Sequence, residues 1–159
     1  MVTKPKLPIT GRCLCEAVRF EVSEPFRTAH YCHCRRCQRR TGTAFSASAQ
    51  AAPGSFRVTQ GEELLRAFRP DDGWHKFFCG ECGGHVYSQS HEDLDLIGVR
   101  MGAIDGDPGV RPSSHQFVAY AASWQPLPDD GLPRYDERVP GQSAAGWTTS
   151  QSTGIDRMG

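Results

Sequence analysis

Seven cysteines constrain this chain of 159 residues more than any other feature. They form three local groups with no cysteine left over: Cys13-x-Cys15, Cys32-x-Cys34-x-x-Cys37 and Cys79-x-x-Cys82. Such short spacings let two or three thiolates reach one cation through a tight turn, whose amides can also hydrogen-bond the sulfurs. A structural zinc ion takes four protein ligands, so seven cysteines cannot build two closed four-cysteine sites. The pattern therefore predicts two zinc ions, one with four cysteine ligands and one with three.

The two outer pairs favour the four-ligand site. The glycines of Cys79-Gly80-Glu81-Cys82-Gly83-Gly84 suit a zinc knuckle, because the residue after the second ligand commonly adopts a left-handed conformation. We therefore expect Cys13, Cys15, Cys79 and Cys82 to hold a structural zinc that links two distant hairpins. The central group, Cys32, Cys34 and Cys37, is then expected to hold a catalytic zinc whose fourth position admits water or substrate.

Two other interpretations of the cysteines stay open at this stage. His30 or His33 could close the three-cysteine site and make it structural, although His33 lies between two inward-pointing ligands and should point away. Disulfide or redox chemistry is the second alternative. The first residues lack the apolar stretch of a secretory signal, which predicts a cytoplasmic location, and reducing conditions there disfavour disulfides.

Composition and patterning predict a mainly β domain. Eighteen basic and eighteen acidic residues cancel, which argues against a polybasic nucleic-acid-binding protein, and no apolar stretch is long enough to cross a bilayer. Glycine and proline are abundant without a repeat, as in turn-rich β proteins. We expect an N-terminal arm at 1–10, one zinc domain at 11–139 built of short antiparallel strands with one or two helical turns, and a poorly ordered tail at 140–159. The stretch Phe117 to Tyr120 is expected to be a short strand.

Four arginines lie around Cys37 in the stretch from Arg35 to Arg40, which suits one short helix ending at Thr41-Gly42. A planar guanidinium binds carboxylates with two hydrogen bonds, so Arg35, Arg39 and Arg40 are candidate substrate-binding residues. The alternative is a solvated helical face. No general base stands out among the histidines. Trp74, Phe77 and Phe78 are expected in the core, and the alternative is that they line the substrate cleft.

These motifs resemble one known family. The segments Gly11-Arg-Cys-Leu-Cys15, Cys32-His-Cys-Arg-Arg-Cys37 through Thr41-Gly42, and Phe78-Cys-Gly-Glu-Cys-Gly83 are similar to the glutathione-dependent formaldehyde-activating enzymes, which include centromere protein V among their relatives. His115 and Trp124 resemble the C-terminal signature of that family. Glu16 departs from it, because glycine usually follows the second cysteine, and Ala121-Ala122 replace the usual Lys-Ala.

The resemblance implies a β-tent fold around two zinc sites with the ligand sets given above. It also implies a carbon-sulfur lyase that joins formaldehyde to the thiol of glutathione, or splits the adduct, with a small-molecule thiol as partner. The rival hypothesis is a noncatalytic zinc module that docks a protein or nucleic acid through Arg35 to Arg40; the neutral charge and the lack of interleaved aromatic residues argue against it. The oligomeric state stays open.

Overall fold

The structure is a computed structural model that describes residues 4–140. The predicted tail at 140–159 lies outside the described residues, apart from Pro140. The strands are β1 (Ile9–Arg12), β2 (Arg19–Val22), β3 (Thr28–Cys32), β4 (Ser46–Gln50), β5 (Phe56–Gln60), β6 (Leu65–Phe68), β7 (His75–Cys79), β8 (His85–Gln89), β9 (Ile97–Arg100), β10 (His115–Gln116) and β11 (Arg134–Tyr135). One α-helix, α1 (Arg35–Thr41), and three 3₁₀ turns, at Glu62–Leu64, Met101–Ala103 and Val118–Tyr120, complete the described part.

These strands form two sheets. The smaller sheet has the order β1-β2-β5, and the larger has the order β11-β10-β3-β4-β9-β8-β7-β6. Neighbouring strands are antiparallel except at β10, which runs parallel to both β3 and β11. This last arrangement matters for the site, because it lays the C-terminal segment directly beside the strand that leads into the central cysteines.

Alternation along the strands gives the larger sheet two different faces. On one face, Ala29, Ala49 and Val99 are buried in the apolar core, which also takes Phe20 and Val22 from the smaller sheet. The alternate positions of the same strands carry polar residues, since successive side chains of a strand point to opposite faces. The polar face is where the cavity described below forms.

The mainly β prediction is confirmed, and so is the short helix that starts at Arg35, which contains Cys37. Gly42 ends α1 in a left-handed conformation (φ 68°), and its N–H donates to the Gln38 carbonyl at 2.8 Å. The strand β1 begins at Ile9, inside the segment predicted to be an arm. The strand prediction for Phe117 to Tyr120 is wrong: the strand precedes it at β10, and a 3₁₀ turn follows because Phe117 is left-handed (φ 59°).

No helix between residues 4 and 140 combines the length and apolar character that a bilayer crossing requires.

Candidate metal centres and the adjoining cavity

The two outer cysteine pairs meet in one cluster. The sulfurs of Cys13, Cys15, Cys79 and Cys82 all lie within 4.8 Å of one another. Cys15 Sγ is 3.6 Å from Cys13 Sγ and 3.8 Å from Cys79 Sγ. A disulfide bond needs about 2.05 Å, whereas sulfurs held about 2.3 Å from a tetrahedral zinc lie about 3.8 Å apart. All seven cysteines are free, so the geometry fits a zinc ligand set and not a disulfide framework.

Backbone amides support the sulfurs of this four-cysteine cluster. The Val18 N–H donates to Cys13 Sγ at 3.3 Å, and the Gly84 N–H donates to Cys82 Sγ at 3.4 Å. In the second turn Gly83 is left-handed (φ 71°), as the knuckle pattern predicts. Such N–H donors offset the negative charge of metal-bound thiolates, and each of the two turns supplies one.

Glu16 occupies the position after Cys15 in a strained backbone conformation that glycine would adopt without strain. It follows the second cysteine in a left-handed conformation (φ 65°), which side chains with a Cβ rarely adopt. Its carboxylate lies 3.1 Å from Arg12 Nη1 and 3.0 Å from Arg19 Nη2. Both ion pairs are exposed and therefore offset the strain only in part.

The central cysteines form the second cluster. Cys32 ends β3, Cys34 caps the N-terminus of α1, and Cys37 lies in the first turn of that helix. Their sulfurs lie within 4.8 Å of one another, and Cys34 Sγ accepts a hydrogen bond from the Cys37 N–H at 3.4 Å. The pKa of the Cys37 thiol is well below its usual range because Cys32 and Cys34 hydrogen-bond to it, while the pKa of Cys32 is raised. Three adjacent thiols fit a cation such as zinc, which lets all of them ionise.

Histidine does not complete this three-cysteine cluster within the described part of the chain. His33 is fully buried and bonds elsewhere: its Nε2 is 2.8 Å from Nδ1 of His115, whose own Nε2 is 2.9 Å from the Asp130 carboxylate. The Asp130 carboxylate accepts from His115 Nε2, and one of the two facing ring nitrogens, His33 Nε2 or His115 Nδ1, donates to the other. The expectation that His33 points away from the cysteines agrees with this geometry.

The hydrogen bonds that join His33, His115 and Asp130 also link the cysteine loop to the C-terminal segment. Gln38 reinforces that link, because its side-chain amide donates to the His33 carbonyl at 2.6 Å and to the Tyr120 carbonyl at 2.8 Å. Burial lowers the pKa of His33 to about 4. We therefore interpret these residues as the support of the loop and not as its chemistry.

A cavity of about 120 Å³ opens beside the three-cysteine cluster. Its walls include all three cysteines, His30 and Trp74, and four cationic side chains, Arg36, Lys76, Arg100 and Arg138. No carboxylate lines it among residues 4–140. Phe77 lies in the core as expected, stacked 4.4 Å from Tyr87, but Trp74 lies at the cavity. The combination of a metal-binding cluster and a positively charged cavity suits an anionic ligand.

The helix arginines divide into two pairs. Arg35 and Arg39 are exposed, and Arg35 donates to Gln38 at 2.9 Å. Arg36 lines the cavity, and Asp72, which does not line it, accepts hydrogen bonds from Arg36 Nη2 through both carboxylate oxygens at 2.7 and 2.9 Å. Arg40 lies behind the wall and donates to the Ser88 hydroxyl at 2.8 Å. None of Arg35, Arg39 and Arg40 lines the cavity, so their role as substrate-binding residues stays a prediction.

The sequence reasoning missed Lys76, Arg100 and Arg138. Each lies far along the chain from the central cysteines, and only strand pairing brings them together: Lys76 pairs with Ser88, and Arg100 pairs with Ser48. Part of the cavity could have been predicted from the alternation of Ser46, Ser48 and Gln50 with alanines. A strand with one polar face predicts that this face of the sheet contacts solvent or a ligand.

Comparisons with known proteins give one matching family, one similar curated protein and one similar solved structure. A family model described as glutathione-dependent formaldehyde-activating enzyme matches residues 8–120. A Penicillium rubens protein, named provisionally as a glutathione-dependent formaldehyde-activating enzyme, is 23% identical over 114 residues. The match takes in 70% of this chain and 60% of that protein, so the chain spans well under two thirds of the relative's length. A crystal structure of a Rhodobacter sphaeroides protein superposes with a TM-score of 0.52 at 25% identity, covering 79% of this chain and 98% of the other.

Proposed function

Because the chain belongs to the glutathione-dependent formaldehyde-activating enzyme family, we propose that it is a zinc-dependent carbon-sulfur lyase that binds a thiol such as glutathione at the three-cysteine cluster. In the forward direction the thiol sulfur adds to the carbonyl carbon of an aldehyde, the π electrons move to the oxygen, and that oxygen takes a proton. The reverse reaction splits the carbon-sulfur bond. We place the reaction in the cytoplasm, where thiols stay reduced.

One observation supports this proposal most: all three cysteines of the central cluster line one cavity, whereas only Cys13 of the four-cysteine cluster lines the other. Zinc held by Cys32, Cys34 and Cys37 would stabilise a substrate thiolate near neutral pH, where a free thiol with a pKa near 8.5 is only a few per cent ionised. The four-cysteine cluster is proposed to hold the structural zinc.

The residues around the cavity have separate tasks in this proposal. Trp74 and Phe117 supply apolar walls that exclude water, and Phe117 packs directly against Cys32 and Cys34. The cationic side chains hold the anionic substrate in place. The docking hypothesis is less favoured, because Arg36 and Arg40 turn inward and leave no continuous basic face on α1.

The experiment uses NMR to follow the exchange of ¹³C-labelled formaldehyde with its glutathione adduct. The rate of the uncatalysed exchange in buffer is the baseline. We expect the zinc-loaded protein to raise the exchange rate and Cys37→Ala to return it to that baseline while one zinc ion per chain remains. Exchange no faster with the wild-type protein than in buffer would refute the activity on glutathione. A gel-shift assay with nucleic acid alongside tests the rival.

A further inference from the structure

The cavity wall formed by β7, β8 and β9 carries positive charge that no nearby carboxylate neutralises. Lys76 on β7 and Arg100 on β9 line the cavity on either side of Ser88 on β8. Within residues 4–140, the side-chain ammonium of Lys76 makes no hydrogen bond or ion pair with another residue. Like charges gathered in a partly buried space repel one another unless an anion joins them, so this wall lacks a counter-ion of its own.

The Ser88 hydroxyl can serve a ligand as a hydrogen-bond donor but not as an acceptor. Its buried hydroxyl oxygen accepts two hydrogen bonds, from Arg40 Nη1 at 2.8 Å and from Arg100 Nη2 at 2.7 Å. Both lone pairs are then used, and the hydroxyl hydrogen is free to donate. Arg100 also donates to Ser48 Oγ at 2.6 Å. The Lys76 ammonium group, the Ser88 hydroxyl hydrogen and the Arg100 guanidinium thus line one space, with the Arg40 guanidinium behind Ser88.

This wall lies close to the three-cysteine cluster. Ser46 is the strand partner of Cys32, and its hydroxyl accepts from Arg100 Nη1 at 3.3 Å, so one serine separates the guanidinium from the cysteine loop. The cavity of about 120 Å³ is also much smaller than the roughly 300–1,000 Å³ of sites for drug-sized ligands. A molecule that touches both the cluster and the wall from inside must be compact.

We propose that Lys76, Ser88 and Arg100 bind a carboxylate, and that the preferred substrate is a compact mercapto acid whose carboxylate lies only a few carbon atoms from its sulfur. The thiol half of this inference rests on the proposed function, while the carboxylate half rests on the wall itself. Charge supports it: three thiolates around a divalent cation leave one negative charge. A thiolate and a carboxylate from the substrate add two more, and these negative charges would face the positive charges of Lys76 and Arg100 on this wall.

The test compares two thiols of nearly equal size, 3-mercaptopropionate and the uncharged 3-mercaptopropanol, by calorimetric titration of the zinc-loaded protein. We expect the acid to bind roughly tenfold or more tightly than the alcohol, as a charged hydrogen bond in a partly buried site implies. Lys76→Gln should remove most of that preference and Lys76→Arg should keep it. Lys6→Gln, which removes one exposed lysine outside the cavity, is the matched control and should behave as wild type.

The outcomes separate this inference from the proposed function. Equal affinity for the two thiols, or an undiminished preference in a folded Lys76→Gln protein, would overturn the carboxylate site even if formaldehyde exchange with glutathione is catalysed. A preference for the acid that Lys76→Gln abolishes would support the site even if that exchange is not catalysed. Thermal unfolding of each variant shows whether it is folded.

Discussion

The two cysteine clusters differ in how much chain a bound metal ion would close, and that difference would set their contributions to stability. Cys15 and Cys79 are 64 residues apart, whereas the central cluster closes a loop between Cys32 and Cys37. If each metal ion acts as a cross-link, the chain-entropy relation gives about 4 kcal/mol for the long loop and about 2 kcal/mol for the short one. We therefore predict that losing the four-cysteine site costs about 2 kcal/mol more than losing the three-cysteine site.

A matched pair of double variants isolates this effect. Cys79→Ala with Cys82→Ala and Cys34→Ala with Cys37→Ala each remove one buried and one half-buried thiol. The packing losses are therefore similar. Both variants should drop from about two bound zinc ions per chain to about one, as measured by mass spectrometry of the metal.

Thermal unfolding followed by circular dichroism then reports the difference in stability. For a domain of this size each kcal/mol shifts Tm by about 3–4 °C, so the first double variant should melt about 7 °C below the second. Equal melting temperatures would contradict the reasoning, and so would loss of both zinc ions from the second variant. Either result would mean that the central cluster also holds the fold together.

Three further predictions follow from local geometry. A Cβ added at Gly11 would lie 2.1 Å from the Phe20 ring, so Gly11→Ala should lower the free energy of unfolding by about 1–3 kcal/mol in urea titrations. Glu16→Gly relieves a left-handed backbone, so it should be more stable than Glu16→Ala by about 1 kcal/mol, and the reverse order would contradict the strain. The His115 hydrogen bond lowers the pKa of Asp130 below its ordinary 3.8. The stability that ionised Asp130 contributes is therefore fully present above pH 3.8 and is lost as the pH falls through the lowered pKa of the folded state. The Tm of Asp130→Asn should therefore fall less on acidification than the Tm of the wild-type protein.

Features formed by residues close together in the sequence could be predicted, whereas contacts between residues far apart in the sequence mostly could not. The three local cysteine groups, the short helix and its end at Gly42 were all accessible from spacing, because ligands within one turn and a helix stop act over only a few residues. The pairing of the outer cysteines across 64 residues was accessible only through ligand arithmetic. Both clusters are present as expected.

Only the tertiary structure decided what surrounds the central cluster. Lys76 and Arg100 reach the cavity because five antiparallel strands pair in one register, and a shift of one residue would turn both side chains to the other face. Arg138 and the Asp130–His115–His33 chain reach the cysteine loop through the parallel pairing of β10 with β3. No local motif specifies such contacts, because their free energy comes from burying the apolar face of the sheet, and the polar residues on the opposite face are positioned as a consequence.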